Sequence, residues 1–403
     1  KNYKFYAPDG TELPYQVLAS REYTKKNYEL RELIKFTKSF VCIIAMPVSI
    51  PAHGYAAYSF DNRKSVWPDP AKGEYTFPVY YPPVRYMGTM RTAADTFDTG
   101  RLLVKVESNG TLTVTEKQSG HVFTNLLLME DGGDCGDGWV FRKPELDTLN
   151  MGLDGGCDIA LEVDGPLAAE LKITKRLRIS RGLNPANPQR RAADTKTLEI
   201  VSRVRLLKDS SRIEVRTCLH NEQDNHRLRV TFDTGMTGAK TFYTKTPYDM
   251  QQWSIAKEDY SDFIEVDTME NPSQGITYLR DGEASFALYS RGLYEVECRD
   301  NAARTLVLTL LRTTENAAGF PEGSEVMRDA FTMEYCMDFA PGDTAAQALI
   351  AGEAWRSGLH FKTCEKHSGN LPASMVFYQV EGSGETVVSA AVHGDWNGQN
   401  IIR

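Results

Sequence analysis

The chain has no apolar run long enough to cross a membrane. Its longest candidates, Phe40-Val41-Cys42-Ile43-Ile44-Ala45 and Leu306 to Leu311, have the length of buried strands. Concentrated positive charge is also missing. The 46 Lys and Arg are outnumbered by 54 Asp and Glu, giving a formal net charge of −8. Binding a phosphate backbone needs clustered Lys and Arg, so neither nucleic acid nor a membrane is expected as a partner. The short basic group Lys175, Arg176 and Arg178 lies in an alternating apolar run and reads as a solvated sheet face. No CxxC pair occurs, and no Cys/His cluster has zinc spacing. The seven cysteines (42, 135, 157, 218, 298, 336 and 364) are odd in number and scattered. They read as small buried apolar residues in a reducing compartment, not as a disulfide framework. No amphipathic helix exceeds three turns, with Thr344 to Ala354 the best short candidate, and no fixed-period repeat is visible. Neither a signal peptide nor an initiator Met opens the chain, which begins Lys1-Asn2-Tyr3. A segment of something longer is expected.

Strand signals are abundant. Leu102 to Val106, the pair Asn109-Gly110, and Thr111 to Val114 together read as a hairpin. Leu171 to Ile179, Thr197 to Leu206 and Arg212 to Leu219 each alternate apolar and polar residues. Period two over many segments predicts half-buried antiparallel strands. Five prolines between Trp67 and Val84 interrupt the pattern and mark a linker. The expected organisation is a small β segment over 1–66, a linker over 67–84, a large β region over 85–362 and a terminal β segment over 363–403. The last of these contains Ser374 to Val380, Glu385 to Val392 and a starting strand at Asn400-Ile401-Ile402-Arg403.

The run Glu130-Asp131-Gly132-Gly133-Asp134-Cys135-Gly136-Asp137-Gly138-Trp139 holds four carboxylates, four glycines and one large aromatic. Glycine admits positive φ, so the run predicts a tight acidic loop. A Trp flanked by acceptors suits a sugar, whose hydroxyls need acceptors and whose C–H face needs an aromatic plane. Asp134, Asp137 and Trp139 are the candidate substrate-binding residues. A solvated turn is the ordinary alternative. A calcium loop is the other, although carboxylates at every third position do not match the alternating ligands of an EF-hand. For Trp139 the competing role is a core anchor beneath the loop. His226, Arg227 and Arg229 read as packing or ion-pair residues, Glu295 and Glu297 as two solvated carboxylates on one strand face, and Tyr294 as core.

Several blocks in order resemble the C-terminal β region of glycoside hydrolase family 38, the bacterial-type α-mannosidases. They are Ile50 to Tyr58, Asn109 to Leu112 with Glu116 to Gly120, Asp131 to Phe141, Asp224 to Phe232, Gly292 to Val296, and Leu306 to Arg312. The resemblance implies a mainly β fold: a large antiparallel supersandwich of galactose-mutarotase type flanked by small β-sandwich segments. It implies a retaining, zinc-dependent α-mannosidase whose nucleophile and zinc ligands lie in an N-terminal barrel that is not recognisable here. No catalytic residue, metal ligand or cofactor is therefore assigned to this chain, and zinc is expected in the N-terminal part. The lone His-x-Asp pair, His393-Gly394-Asp395, reads as a hairpin turn.

In this family the acidic loop reaches the sugar subsite through an aromatic residue, typically Tyr. Trp139 stands at the matching position, which keeps stacking and loses a hydroxyl. Asp134 and Asp137 could accept sugar hydroxyls or hold the loop. The expected partners are a mannoside and the catalytic domain, the expected location is the bacterial cytoplasm, and homo-oligomerisation stays open. Two rival functions remain: a stand-alone carbohydrate-binding module, and an aldose mutarotase-like epimerase. The second needs a His and a Glu, and neither His121 nor His226 has a visible Glu partner.

Overall fold

The computed structural model describes residues 2–28, 34–63, 88–147, 149–153, 156–247, 249–256, 262, 269–315, 327–365, 367, 369–379, 381, 391–393 and 400–402. The expected linker at 67–84 lies outside them. The chain divides into two compact units. One comprises 1–90, 163–169 and 361–381, and the other comprises 91–162, 170–360 and 382–403.

The fold is mainly β, as the alternating segments predict. Two nine-stranded antiparallel sheets dominate the larger unit. At the centre of the first, His226–Asp233 lies between Val122–Gly133 and Thr305–Thr313. At the centre of the second, Ala330–Asp338 lies between Arg212–His220 and Ala284–Arg291. The period-two pattern becomes burial directly. Leu102, Val104 and Val106 are buried while Leu103 and Lys105 between them are exposed. The Asn109-Gly110 turn forms, with Gly110 at φ 75°, and a Cβ there would lie 2.6 Å from the Cys157 sulfur.

The inner faces meet through aromatic rings. Phe123 of the first sheet lies 5.5 Å from Phe286 of the second and 4.9 Å, edge-on, from Phe339. Phe232 reaches Tyr335 at 6.2 Å. Offset and edge-to-face pairs satisfy the ring quadrupoles that a flat sandwich would oppose. The Tyr335 hydroxyl is satisfied inside this core by Thr217 at 3.0 Å, and Thr217 in turn by Ser202 at 2.9 Å.

The single helix among the described residues, Ala345–Ser357, falls where the short candidate was read. Thr344 caps it and exchanges hydrogen bonds with Gln347 in a capping box. Ala348, Gly352 and Trp355 form its buried stripe, against a cluster containing Ile276 and Tyr289.

In the smaller unit, Asn2–Tyr6 pairs with Glu12–Leu13 and with Ser59–Arg63. Gln16–Tyr28 forms a hairpin with Ile34–Ala45, and Gly54–Ala56 pairs with Ser374–Val376. The buried Gln16 amide donates to Ala168 O and accepts from the Leu167 and Ala168 amides, each at 2.9 Å.

Several expectations are corrected. Phe40 to Ala45 is a strand but not a buried one: Val41 and Ile43 are exposed, because the hairpin that holds them is a two-stranded sheet. Only Cys298 and Cys336 are buried; Cys42 and Cys364 are exposed, and all seven thiols are free. Asn400–Ile402 is a strand, paired with Ala391–His393 in a two-stranded sheet. Residues 394–399, and with them the expected turn, lie outside the described residues.

Lys175 is not on a solvated face. Alternation puts Arg176 and Arg178 on the opposite side from it, and Lys175 itself is only 5% exposed. Its Nζ donates to Leu127 O at 2.8 Å, where positive φ at Asn125 and Leu127 marks a register shift. Burial pushes the Lys175 ammonium down to about 8. In the unfolded chain an ammonium of this kind titrates near 10.4. Between those values the unfolded chain holds a proton that the folded chain has lost. Stability therefore rises with pH from about 8 to about 10.4, and below 8 the full penalty of roughly 3 kcal/mol applies. Urea unfolding of wild type and Lys175→Met at pH 7.5, 9 and 10 checks this. The wild type is expected to gain stability relative to the variant across the series, and a constant difference would contradict the assignment.

Candidate functional site

Glu130 and Asp131 sit at the end of the strand Val122–Gly133 and face opposite ways, as alternation requires. Asp131 points inward into a buried polar group. One carboxylate oxygen meets His226 Nδ1 at 2.6 Å, and the other accepts from Arg191 at 2.5 Å. His226 Nε2 meets Asn221 Oδ1 at 3.0 Å. The structure thus gives His226 a packing role, fully buried and hydrogen-bonded at both ring nitrogens. His121 Nε2 meets a backbone oxygen, Thr234 O, at 2.7 Å, so neither ring is partnered by a Glu.

Glu130 points outward into a lattice of charge. It accepts from Arg229 Nε at 3.0 Å and from Arg299 at 2.8 and 2.9 Å. Arg229 continues to Glu297 at 2.7 Å and Glu270 at 3.3 Å, and Arg227 bonds Glu270 and lies 3.4 Å from Glu295. Desolvation pushes the Glu130 carboxyl up, but hydrogen bonds and charge from Arg299 and Arg229 outweigh it and hold it below the usual range. At Glu270 desolvation prevails over Arg227, and its carboxyl is raised. Glu295 and Glu297 are therefore not a solvated pair, because each is tied to an arginine of the neighbouring lattice. Tyr294 is not core. It precedes the strand Glu295–Cys298 and is 64% exposed.

Beyond Gly133 the chain forms the expected tight loop. The buried Asp134 is its hub. Oδ1 accepts from the Gly136 amide at 2.8 Å and the Arg142 amide at 3.3 Å, and Oδ2 accepts from Arg312 Nε at 2.6 Å. Arg312 also donates to Asp137 O at 2.5 Å, and Thr314 Oγ1 to Gly136 O at 3.1 Å. Gly136 must be glycine, since a Cβ would lie 2.0 Å from Val140 O. Asp137 Oδ1 accepts from the Trp139 and Val140 amides, each at 2.8 Å. Val140 and Trp139, in that order, hold the Asp137 carboxyl below the usual range. Phe141 lies under the Arg227 guanidinium, 3.4 Å from its ring centroid. Trp139 projects from this clamp 82% exposed, so it is no core anchor.

Of the three residues read from sequence, Asp134 spends both oxygens on the loop and on Arg312. Asp137 Oδ1 stabilises the turn, and its Oδ2 carries no hydrogen bond among the described residues. Trp139 is free to be touched. The sequence reading missed Arg312, whose only signal was a lone cation closing the apolar run Leu306 to Leu311. It also missed the Phe141–Arg227 stack, which joins residues distant in the chain. Among the described residues no group of three or more His, Cys, Asp or Glu could hold a metal ion. The donor set among the described residues does not fit zinc.

A two-sheet antiparallel sandwich that carries a charge-clamped acidic loop with a displayed aromatic defines the class. The glycosyl hydrolase family 38 C-terminal domain matches residues 97–319, over half of the chain. The chain belongs to glycosyl hydrolase family 38. No curated protein sequence matches it. Among solved structures it is similar to an alpha-mannosidase from Enterococcus faecalis V583, at 19% identity and a TM-score of 0.80, covering 100% of this chain and 45% of that one. It is also similar to a protein in the glycosyl hydrolase family 38 from Enterococcus faecalis, at 18% identity and a TM-score of 0.77, covering 100% and 46%. The chain thus spans less than half the length of each.

The clamp predicts a local phenotype. Arg312→Ala leaves the buried Asp134 carboxylate without its cation, at a cost of about 3 kcal/mol. Hydrogen exchange at the amides of Gly136 and Arg142 is expected to accelerate by about a hundredfold, with distant strands unaffected. Unchanged exchange in a folded variant would show that the loop does not depend on Arg312.

Proposed function

We propose that this chain is the non-catalytic C-terminal β portion of a retaining α-mannosidase, and that Trp139 lines the sugar subsite that a separate catalytic portion completes. The observation that carries this reading is the display of Trp139 on a loop whose hub is buried and ion-paired. An aromatic plane held rigid before the ligand arrives loses little entropy on binding. Asp137 supports it, with one oxygen fixing the turn and the other open to a hydroxyl. Asp134 acts at one remove, by holding the loop.

Retaining hydrolysis needs two carboxyl groups about 5 Å apart, one nucleophilic and one acid/base. In this reading those groups and the zinc belong to the catalytic portion. The mutarotase-type description of the sandwich and the boundaries 1–66, 67–84, 85–362 and 363–403 are parts of the same proposal. So is a cytoplasmic setting, which the free thiols support.

The exposed Trp139 also favours a second reading, a stand-alone carbohydrate-binding module. Two measurements separate them. The 403-residue chain alone is expected to hydrolyse no aryl α-mannoside, with or without zinc, and to give little heat when titrated with mannosides. A longer polypeptide that carries these residues and hydrolyses mannosides is expected to lose about tenfold in kcat/KM on Trp139→Ala, roughly 1.4 kcal/mol, and to retain most of it on Trp139→Phe. Strong heat from the isolated chain, abolished by Trp139→Ala, would favour the module. An unaltered kcat/KM in Trp139→Ala would remove Trp139 from the subsite.

A further inference from the structure

A second feature lies beyond the acidic loop. The described residues that follow it, 143–147 and 149–153, are tied down by hydrogen bonds. Asp131 and Asn150 exchange backbone hydrogen bonds at 2.8 and 2.9 Å. Leu146 N donates to Gln189 O at 3.0 Å, and Gly133 N donates to Asp147 Oδ2 at 2.9 Å. Yet their large side chains face outward. Leu146, Leu149 and Leu153 are all exposed, Leu153 to 66%. Together with Arg178 and Arg190 they line a cavity of about 960 Å³.

Three observations indicate what this cavity receives. First, no aromatic side chain lines it among the described residues, so it lacks the platform that a sugar ring would use. Second, Arg178 and Arg190 have no carboxylate within ion-pair range among the described residues, although most arginines of the larger unit do. Arg178 donates only to the Thr195 hydroxyl, at 2.8 Å. Third, Asp147 Oδ1 and Arg191 Nε of its lining are buried and form a long ion pair at 4.0 Å, with no hydrogen bond to either atom among the described residues. Fixed apolar side chains beside guanidinium groups that have no carboxylate partner among the described residues fit a polypeptide that offers an apolar anchor beside a carboxylate. The solved neighbours are more than twice as long as the part that this chain matches.

We propose that the face built from Leu146, Leu149, Leu153 and Arg190 is an interaction surface, covered by an acidic, apolar-anchored segment of the catalytic portion. The proposal rests on the reading of this chain as one portion of a longer enzyme. The neighbouring Trp139 contacts sugar in that reading, while this face contacts protein.

Carbene footprinting tests it on two samples, the 403-residue chain and a longer polypeptide that contains it, with mannosidase activity measured on the second. Labelling of the three leucines is expected in the short chain and at least fivefold lower in the long one. Arg190 is expected to lose reactivity to phenylglyoxal in parallel. Equal labelling in a long polypeptide that is active overturns the interface and leaves the functional reading standing. Protection in a long polypeptide without activity supports the interface and removes the functional reading. Protection that appears in the short chain as its concentration rises, with dimers in sedimentation, assigns the face to a second copy and overturns the proposal. Arg190→Glu in the long polypeptide adds an independent arm. It should restore labelling of the leucines, and a footprint that stays protected counts against the charge complementarity.

Discussion

The outer face of the first large sheet is closed by charge. Strand His226–Asp233 is buried along nearly its whole length, where a surface strand would alternate. Its inward residues Leu228, Val230 and Phe232 join the sandwich core. Its outward residues Arg227 and Arg229 are covered by Glu130 from the adjoining strand Val122–Gly133 and by Glu270, Glu295 and Glu297 from strands farther along the same sheet. A buried ion lattice of this kind adds little net stability over an apolar face, but breaking one member leaves an uncompensated charge. That asymmetry makes the lattice a device for fixing geometry. It admits one register of the neighbouring strands, because a slip by one residue would set arginines against the core.

The acidic loop is an extension of the same lattice. Arg312 leaves the strand beside His226–Asp233 and takes Asp134, and Arg227 stacks on Phe141. The two ends of the loop are therefore held by cations from adjacent strands. Between them Asp137 and Gly136 shape the turn, and Trp139 is carried outward. The inward side is held by a different group, in which Asp131 joins His226 and Arg191. The loop leaves the sheet between an outer and an inner set of buried charges, so its exposed aromatic is displayed from a rigid base. The adjoining segment with its exposed leucines shares that base through Asp131 and Asn150.

Family membership and local geometry bear on function at different levels. Membership places the chain in glycosyl hydrolase family 38, by its C-terminal domain. The geometry bears on how this portion could take part, with an aromatic for a ring, a free carboxylate oxygen for a hydroxyl and an apolar face for another polypeptide. The acidic residues of the site are committed to arginines or to backbone amides.

Much of the fold was legible in the sequence because alternation is a local property. The strands around Leu102, Leu198 and Ile213, the Asn109-Gly110 turn and the helix near Ala348 follow from spacing alone. The acidic loop was legible as a loop, since its glycines and aspartates leave few other options. What the sequence could not specify is which partner each charge finds. Asp134 and Asp137 read alike in the chain, yet Arg312, 178 residues away in sequence, makes one a buried hub and leaves the other half free. Lys175 and Arg176 are neighbours, yet one sits between the sheets and the other in an exposed ion pair. Composition and period decide where strands and turns form, because those depend on neighbours along the chain. Burial and pairing of charge depend on neighbours in space, and only the packed sheets supply those.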